Sequence, residues 1–298
     1  MLRKLFHQAR WALKRSGLTS ARYWTKHNVT LHHAFTSASD SLEYFHWRND
    51  QYVGYIDLLP VAGQDGKIVL DYGCGPGHDL VGFGVYSQPQ RLLGLDVSSS
   101  SLAEARSRLA LHDIRAELVQ LDEASKRLPL DDASVDYIHC SGVLHHIADR
   151  EGTLRELRRI VRPDGEMRIM VYNYDSIFLH LHTAYVAQVC QGRYAGESIR
   201  QAFAHMTDGP DCPIAEVYRP QELIDLAQRC GWQAEHLGNA PSIFEVSLLP
   251  QRFAAIQDRR LPAEHRQFLL NLTFSDAGLP MWNSEQAGVD GCYRLRPA

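Results

Sequence analysis

The run Val69-Leu70-Asp71-Tyr72-Gly73-Cys74-Gly75-Pro76-Gly77-His78 constrains this chain more than any other segment. A short apolar stretch ends in an acid, and three glycines follow at alternate positions. The apolar stretch reads as a buried parallel strand. Glycine takes positive φ freely and has no Cβ, so such a turn brings backbone N–H groups close to a ligand. That geometry predicts a nucleotide-like cofactor at the carboxyl edge of a sheet. Spacing narrows the cofactor further. The dinucleotide pattern G-x-G-x-x-G needs glycine at 78, where His78 stands. An acid just before the loop, Asp71, is awkward for a phosphate and useful for a cation.

Strands and helices alternate from residue 66 onward. Lys67–Asp71, Arg91–Asp96, Ala116–Leu121, Val135–Cys140 and Glu166–Tyr172 read as strands. Helices are predicted over His78–Tyr86, from Ser98 or Ser99 to Leu111, and over Arg150–Val161. Arg162-Pro163-Asp164-Gly165 is a turn signal. Regularity lapses over residues 174–217. It resumes with a helix from Pro220 to Gly231 and a strand at Trp232–Leu237. Gly291–Arg296 is read as the last strand, which makes 241–284 an insertion; the alternative places that strand at Phe244–Leu249. The alternation implies an α/β fold, a mostly parallel sheet with helices on both faces.

Bulk properties set limits on partners. The chain has 298 residues, is 45% hydrophobic and carries a formal charge of −4. Nothing in that balance draws it to nucleic acid, and no apolar run is long enough to span a bilayer. The six cysteines are dispersed without a C-x-x-C pair, and 74, 140 and 292 lie in or beside core strands. That pattern suits a reduced, cytoplasmic protein. Residues 1–39 contain no acid, and Leu2, Leu5, Phe6, Ala9 and Leu13 fall near one helical face. Two readings follow: weak membrane-surface contact through residues 1–15, or packing on the domain itself or a partner subunit, such as a homodimer.

Several residues are candidates for the site. Asp96 ends the second strand about twenty residues beyond the loop, where an acid accepts from both ribose hydroxyls of an adenosine; the plainer reading is a helix-capping acid. Val97 sits beside it. Asp122 ends the third strand and suits the adenine amino group, or is a solvated loop acid. His145 and His146 follow the fourth strand, where a base reaches an acceptor. His146 divides between general base and structural pocket residue. Tyr172 and Asn173, after the fifth strand, are substrate contacts or only its end. In the leading helix Tyr44, Trp47 and Tyr52 are placed to wall a pocket, and Arg48 to pair with a carboxylate. His27, His32, His33, His180 and His182 lack ligand spacing, so they read as surface or insertion histidines and no metal is expected.

Taken in order, these segments resemble a class I S-adenosylmethionine-dependent methyltransferase, of the broad type that includes quinone-biosynthesis methyltransferases. Val69–Gly77, Leu93–Ser98, Leu128–Ile138, Ser141–His146 and Leu157–Gly165 carry the likeness, continuous over 66–173 and looser over 216–238. The resemblance implies a Rossmann-like seven-stranded sheet whose last strand is antiparallel. It implies Asp71 near the sulfonium or methionine end, Gly73, Gly75 and Gly77 under the cofactor, and Asp96 on the ribose. Asp122 would lie at adenine, Ser141 would present backbone, and Arg48 would meet the methionine carboxylate. Residues 1–60 then form a helical cap on a methyltransferase domain, 61–298. Residues 174–217 form a lid over a small-molecule acceptor methylated at oxygen or nitrogen. The 241–284 insertion shapes the pocket or a subunit contact. The rivals are a dinucleotide-dependent oxidoreductase and a non-catalytic S-adenosylmethionine-binding protein.

Overall fold

The computed structural model describes residues 19–298. The amphipathic pattern over residues 2–13 and the membrane contact of 1–15 lie outside the described residues. Among them, no helix is long and apolar enough to cross a membrane.

Three helices precede the sheet: α1 (Ser20–Lys26), α2 (Ala38–Asp50) and α3 (Tyr55–Leu58). The alternation that follows is β1 (Ile68–Tyr72), α4 (His78–Tyr86), β2 (Arg91–Asp96), α5 (Ser99–Leu111), β3 (Glu117–Gln120), β4 (Val135–Ser141), α6 (Arg150–Ile160) and β5 (Val161–Tyr172). A π-helix (Phe178–Cys190) and α7 (Ile199–Thr207) form the first insertion. Then come α8 (Pro220–Arg229) and β6 (Trp232–Ala240). The second insertion holds α9 (Ile243–Leu248), α10 (Arg252–Gln257), α11 (Ala263–Leu270) and three short strands, β7 (Thr273–Phe274), β8 (Pro280–Trp282) and β9 (Glu285–Gln286). β10 (Asp290–Pro297) closes the chain.

The main sheet has seven strands in the order β3-β2-β1-β4-β5-β10-β6. β10 runs antiparallel to both of its neighbours. The last strand is therefore the one read at Gly291–Arg296; Phe244–Leu248 is helical. β5 begins earlier than the turn signal suggests. Val135 pairs with Val161 and Tyr137 with Glu166, so Arg162–Gly165 is a bulge within the strand.

Every residue of β1 is buried, as a central parallel strand requires. One core packs α6 and α8 on the sheet; another packs α2, α4 and α5 on the opposite face. Gly82 permits that second contact, because a Cβ there would lie 2.6 Å from the Phe45 ring. The two insertions share a core of their own. Ile177, Leu181 and Ala184 pack with Leu248, Leu261 and Phe268.

Candidate active site

The glycine turn connects β1 to α4 at the carboxyl edge of the sheet. Gly73, Gly75 and Gly77 all have positive φ, at 76°, 50° and 75°. The turn is tied to β2, since Gly73 N–H donates to the Leu95 carbonyl at 2.7 Å and Gly75 N–H to Asp96 Oδ2 at 2.8 Å. Asp96 Oδ1 accepts from Ser98 N–H at 2.7 Å. Each Asp96 oxygen keeps a second lone pair, which leaves the carboxylate able to accept from a ligand. A Cβ on Gly73 would meet Val143 Cγ2 at 2.3 Å, whereas beside Gly75 the Cβ position is open space.

Behind the turn lies a buried charge network. Asp71 is 3% exposed and its Oδ2 has no hydrogen-bond partner. Burial pushes its carboxyl up to about 7, against the pull of His139. Asp79, in the first turn of α4, lies 3.6 Å from Arg48 Nη1 and 3.3 Å from His139 Nε2. Burial alone would raise Asp79, but Arg48 and His139 hold it well below the usual carboxylate range. Charges this far apart attract by roughly 4 kcal/mol at an effective dielectric near 20. That is of the same order as the several kcal/mol needed to dehydrate a carboxylate. Asp79 is thus compensated by protein and Asp71 is not. Arg48 also donates to Asn49 Oδ1 at 3.0 Å and to Ser141 Oγ at 3.5 Å, and lies over the Tyr55 ring.

A second cluster stands at the end of β4. His146 Nδ1 lies 2.6 Å from the Ile214 carbonyl, which can only accept, so Nδ1 carries the hydrogen. The lone pair of the neutral ring is then on Nε2, 3.7 Å from Asp208 Oδ2. Asp208 in turn accepts from the Tyr172 hydroxyl at 3.0 and 3.2 Å. His145 is placed differently. It is fully buried, its nitrogens have no partners, and its ring packs 4.0 Å from that of Tyr172. Burial holds it well below the ordinary histidine value, so it stays neutral. His146, Asp208 and Cys212 bring ligand atoms within 4.8 Å of one another. Burial pushes the Cys212 thiol up to about 12.

α1 closes over this edge. Ser98 and Ser100 donate to the carbonyls of Trp24 and Thr25, and Glu123 accepts from Ser20 and Ala21 N–H. The Trp24 ring stands 4.9 Å from His146. Asp122 is exposed just beyond β3, where its Oδ1 accepts from Ala124 N–H. Val97 follows Asp96 at the same edge, and its carbonyl accepts from Gln120 Nε2.

Not every expected pocket residue faces the cleft. Tyr44 donates to the Val29 carbonyl and flanks Arg108, and Trp47 is 56% exposed. Neither joins the cluster around Tyr172. Asn173 is fully buried and bonds Asp175 and Gly288, splinting β5 to the β10 entry. Trp24, Asp79, His139, Asp208 and Asp290 were missed by sequence reasoning. An acid immediately before Gly291, at the start of a candidate last strand, was the readable signal for Asp290.

Residues 69–165 match the family model described as a methyltransferase domain. The chain carries a class I S-adenosylmethionine-dependent methyltransferase domain. Over 147 residues it is 26% identical to the 27-O-demethylrifamycin SV methyltransferase of Amycolatopsis mediterranei, covering 49% of this chain and 48% of that one. Over 140 residues it is 33% identical to the trans-aconitate 2-methyltransferase of Azoarcus sp., covering 43% and 52%. It thus spans about half the length of these curated relatives. The structure of an S-adenosylmethionine-dependent methyltransferase from Mesorhizobium loti superposes with a TM-score of 0.51 at 17% identity, covering 82% of this chain and 97% of that one. That likeness shows the fold.

The residues fit the methyltransferase cofactor. The orphaned oxygen of Asp71 can take a donor or a cation, the space beside Gly75 admits a ligand, and Asp96 has lone pairs left for hydroxyls.

Proposed function

We propose that this methyltransferase domain methylates a small-molecule acceptor at oxygen or nitrogen, with His146 as the general base. One observation carries the choice of base. His146 has its hydrogen pinned on Nδ1 and its free Nε2 beside the Asp208 carboxylate. When bound, S-adenosylmethionine supplies an electrophilic methyl group on sulfur and leaves as a neutral thioether. Asp71 faces the cationic end, Gly73, Gly75 and Gly77 line the cradle, and Asp96 with Val97 takes the ribose. Asp122 lies towards adenine, while Ser141 and Arg48 border the methionine end. The acceptor lone pair forms the new C–O or C–N bond as the C–S bond breaks, and the acceptor proton passes to His146 Nε2. Asp208 stabilises the imidazolium so formed. Placement and exclusion of water supply the rest of the acceleration. Tyr52 and Tyr172 wall the acceptor space, and α1 and the two insertions cover it. His145 supports Tyr172 by packing.

The test is transfer of labelled methyl from the donor into low-mass fractions of a cell extract. Wild type should label at least one fraction. H146Q should slow that labelling by about 100-fold and leave S-adenosylhomocysteine affinity within about twofold, since the cradle residues are unchanged. Binding of S-adenosylhomocysteine with no label in any fraction would favour a non-catalytic binding protein.

A further inference from the structure

Past the end of β4 the sheet edge continues to β5 and β10, where Asp290 opens the last strand directly opposite Tyr172. Opposite residues of an antiparallel pair share a face, so their side chains project together. Tyr172 reaches Asp208 with its hydroxyl. Asp290 is 3% exposed, and among the described residues no hydrogen bond or ion pair reaches its carboxylate. Asp208 has Tyr172 and His146 as partners, and neither acid has an arginine or lysine in ion-pair contact among the described residues. The cation whose field reaches Asp290 is Arg48, already committed to Asp79 and Asn49.

Glu245 shows what a satisfied buried acid looks like here. Its carboxylate accepts from Phe178, Ser242 and Val289 N–H and from the Ser242 hydroxyl. Asp290 has none of this. Burial pushes its carboxyl up to about 8, with Arg48 opposing and Glu245 and Asp208 adding to the rise. Asp290 is also the strongest influence on the hydroxyl of Tyr52, which it raises. Asp290 thus lies on the face of the sheet that carries Tyr172, whose hydroxyl reaches Asp208 and whose ring shares a cluster with Tyr52. A buried carboxylate without a partner is costly, and a ligand cation removes that cost. Aromatic faces add to cation binding.

We propose that Asp290, with Asp208 beyond Tyr172, is the specificity determinant of the acceptor pocket, and that the acceptor is a small molecule anchored there by a protonated amine. The proposal rests on the methyltransferase reading above. The ammonium group is the anchor, and the methyl group goes to the acceptor atom nearest His146.

The experiment uses the full chain saturated with S-adenosylhomocysteine. Thermal shift and calorimetric titration compare matched pairs: phenethylamine with 2-phenylethanol, tyramine with tyrosol, hexylamine with hexanol. At least one amine should bind about tenfold more tightly than its alcohol. D290N should abolish that preference and leave S-adenosylhomocysteine affinity within twofold. The inference is overturned if no amine outperforms its alcohol in the wild type, a comparison that needs no variant. It is equally overturned if D290N keeps the preference. Failure of S-adenosylhomocysteine itself to bind would overturn the methyltransferase reading, a separate outcome.

Discussion

At the scale of single residues, the site is organised by which buried acids the protein satisfies. Asp79 has Arg48 and His139, and Glu245 has four donors. Asp71 Oδ2 and the Asp290 carboxylate have no such partner among the described residues. D71N should weaken S-adenosylmethionine by about 10- to 100-fold, the worth of a hydrogen bond to a charged group, as read by calorimetry without an acceptor. An unchanged affinity would remove Asp71 from the cofactor site. pH gives a second test. The carboxyls of Asp71, Glu245 and Asp290 are pushed up to about 7, 7 and 8. In the unfolded chain such acids ionise near 4. Between those values the native state holds more protons than the unfolded one. The contribution of these three groups to stability therefore falls as pH rises from about 4 to about 8, then levels. Around Asp290 the groups concerned are Arg48 on α2, Tyr52 before α3, Tyr55 on α3, Tyr172 on β5, Asp208 after α7, Glu245 on α9 and Cys292 on β10 itself. One such group contributes at most about 1.4 kcal/mol per pH unit. The melting-temperature advantage of D290N over wild type should widen from pH 5 to 8. A constant difference would show that Asp290 is not held protonated. Asp71 and Asp96 were legible in the sequence because they sit at strand ends beside a glycine turn. Asp79 was not, since its partners come from α2 and β4.

At the scale of elements, Glu245 joins three segments. It completes the capping box of α9 with Ser242, receives Phe178 N–H at the start of the π-helix, and receives Val289 N–H before β10. E245A would strand three backbone donors in a fully buried place. Destabilisation of roughly 3–5 kcal/mol is expected by urea or thermal unfolding, with E245Q milder. A loss under about 1 kcal/mol would mean that the insertions are held by packing alone. The same elements explain what the sequence concealed. Strands β1, β2 and β4 are mostly buried and mostly apolar, and Ser98 caps α5 by accepting from Ser101 N–H, so they could be read directly. Residues 178–190 could not, because a π-helix departs from the 3.6-residue period by which helices are recognised. The helices α9 and α10 have six residues each, too few to show a period.

At the scale of the whole molecule, three stretches distant in sequence converge on one strand edge. α1 lies over Ser98 and His146, the first insertion brings Asp208, and the second packs on the first through a common core. Cofactor binding should therefore be felt beyond the glycine turn. Hydrogen exchange with and without S-adenosylhomocysteine should show slowed amides in 73–77 and also in α1. Slowing confined to 73–77 would mean that α1 is not part of the cofactor enclosure.

Local sequence signals were enough for the sheet, the order of its elements and the glycine-turn edge. Those follow from local signals: apolar strands, a glycine turn that needs positive φ, and acids at fixed strand ends. Only the closed fold decided which acids stay unpaired, which histidine stands beside Asp208 and where the two insertions pack. Each of these depends on groups that are far apart in the chain and meet only when the sheet is closed. The turn at 73–77 could be read because its chemistry is continuous in sequence; the surroundings of Asp290 could not, because the neighbouring groups come from α2, β5 and both insertions.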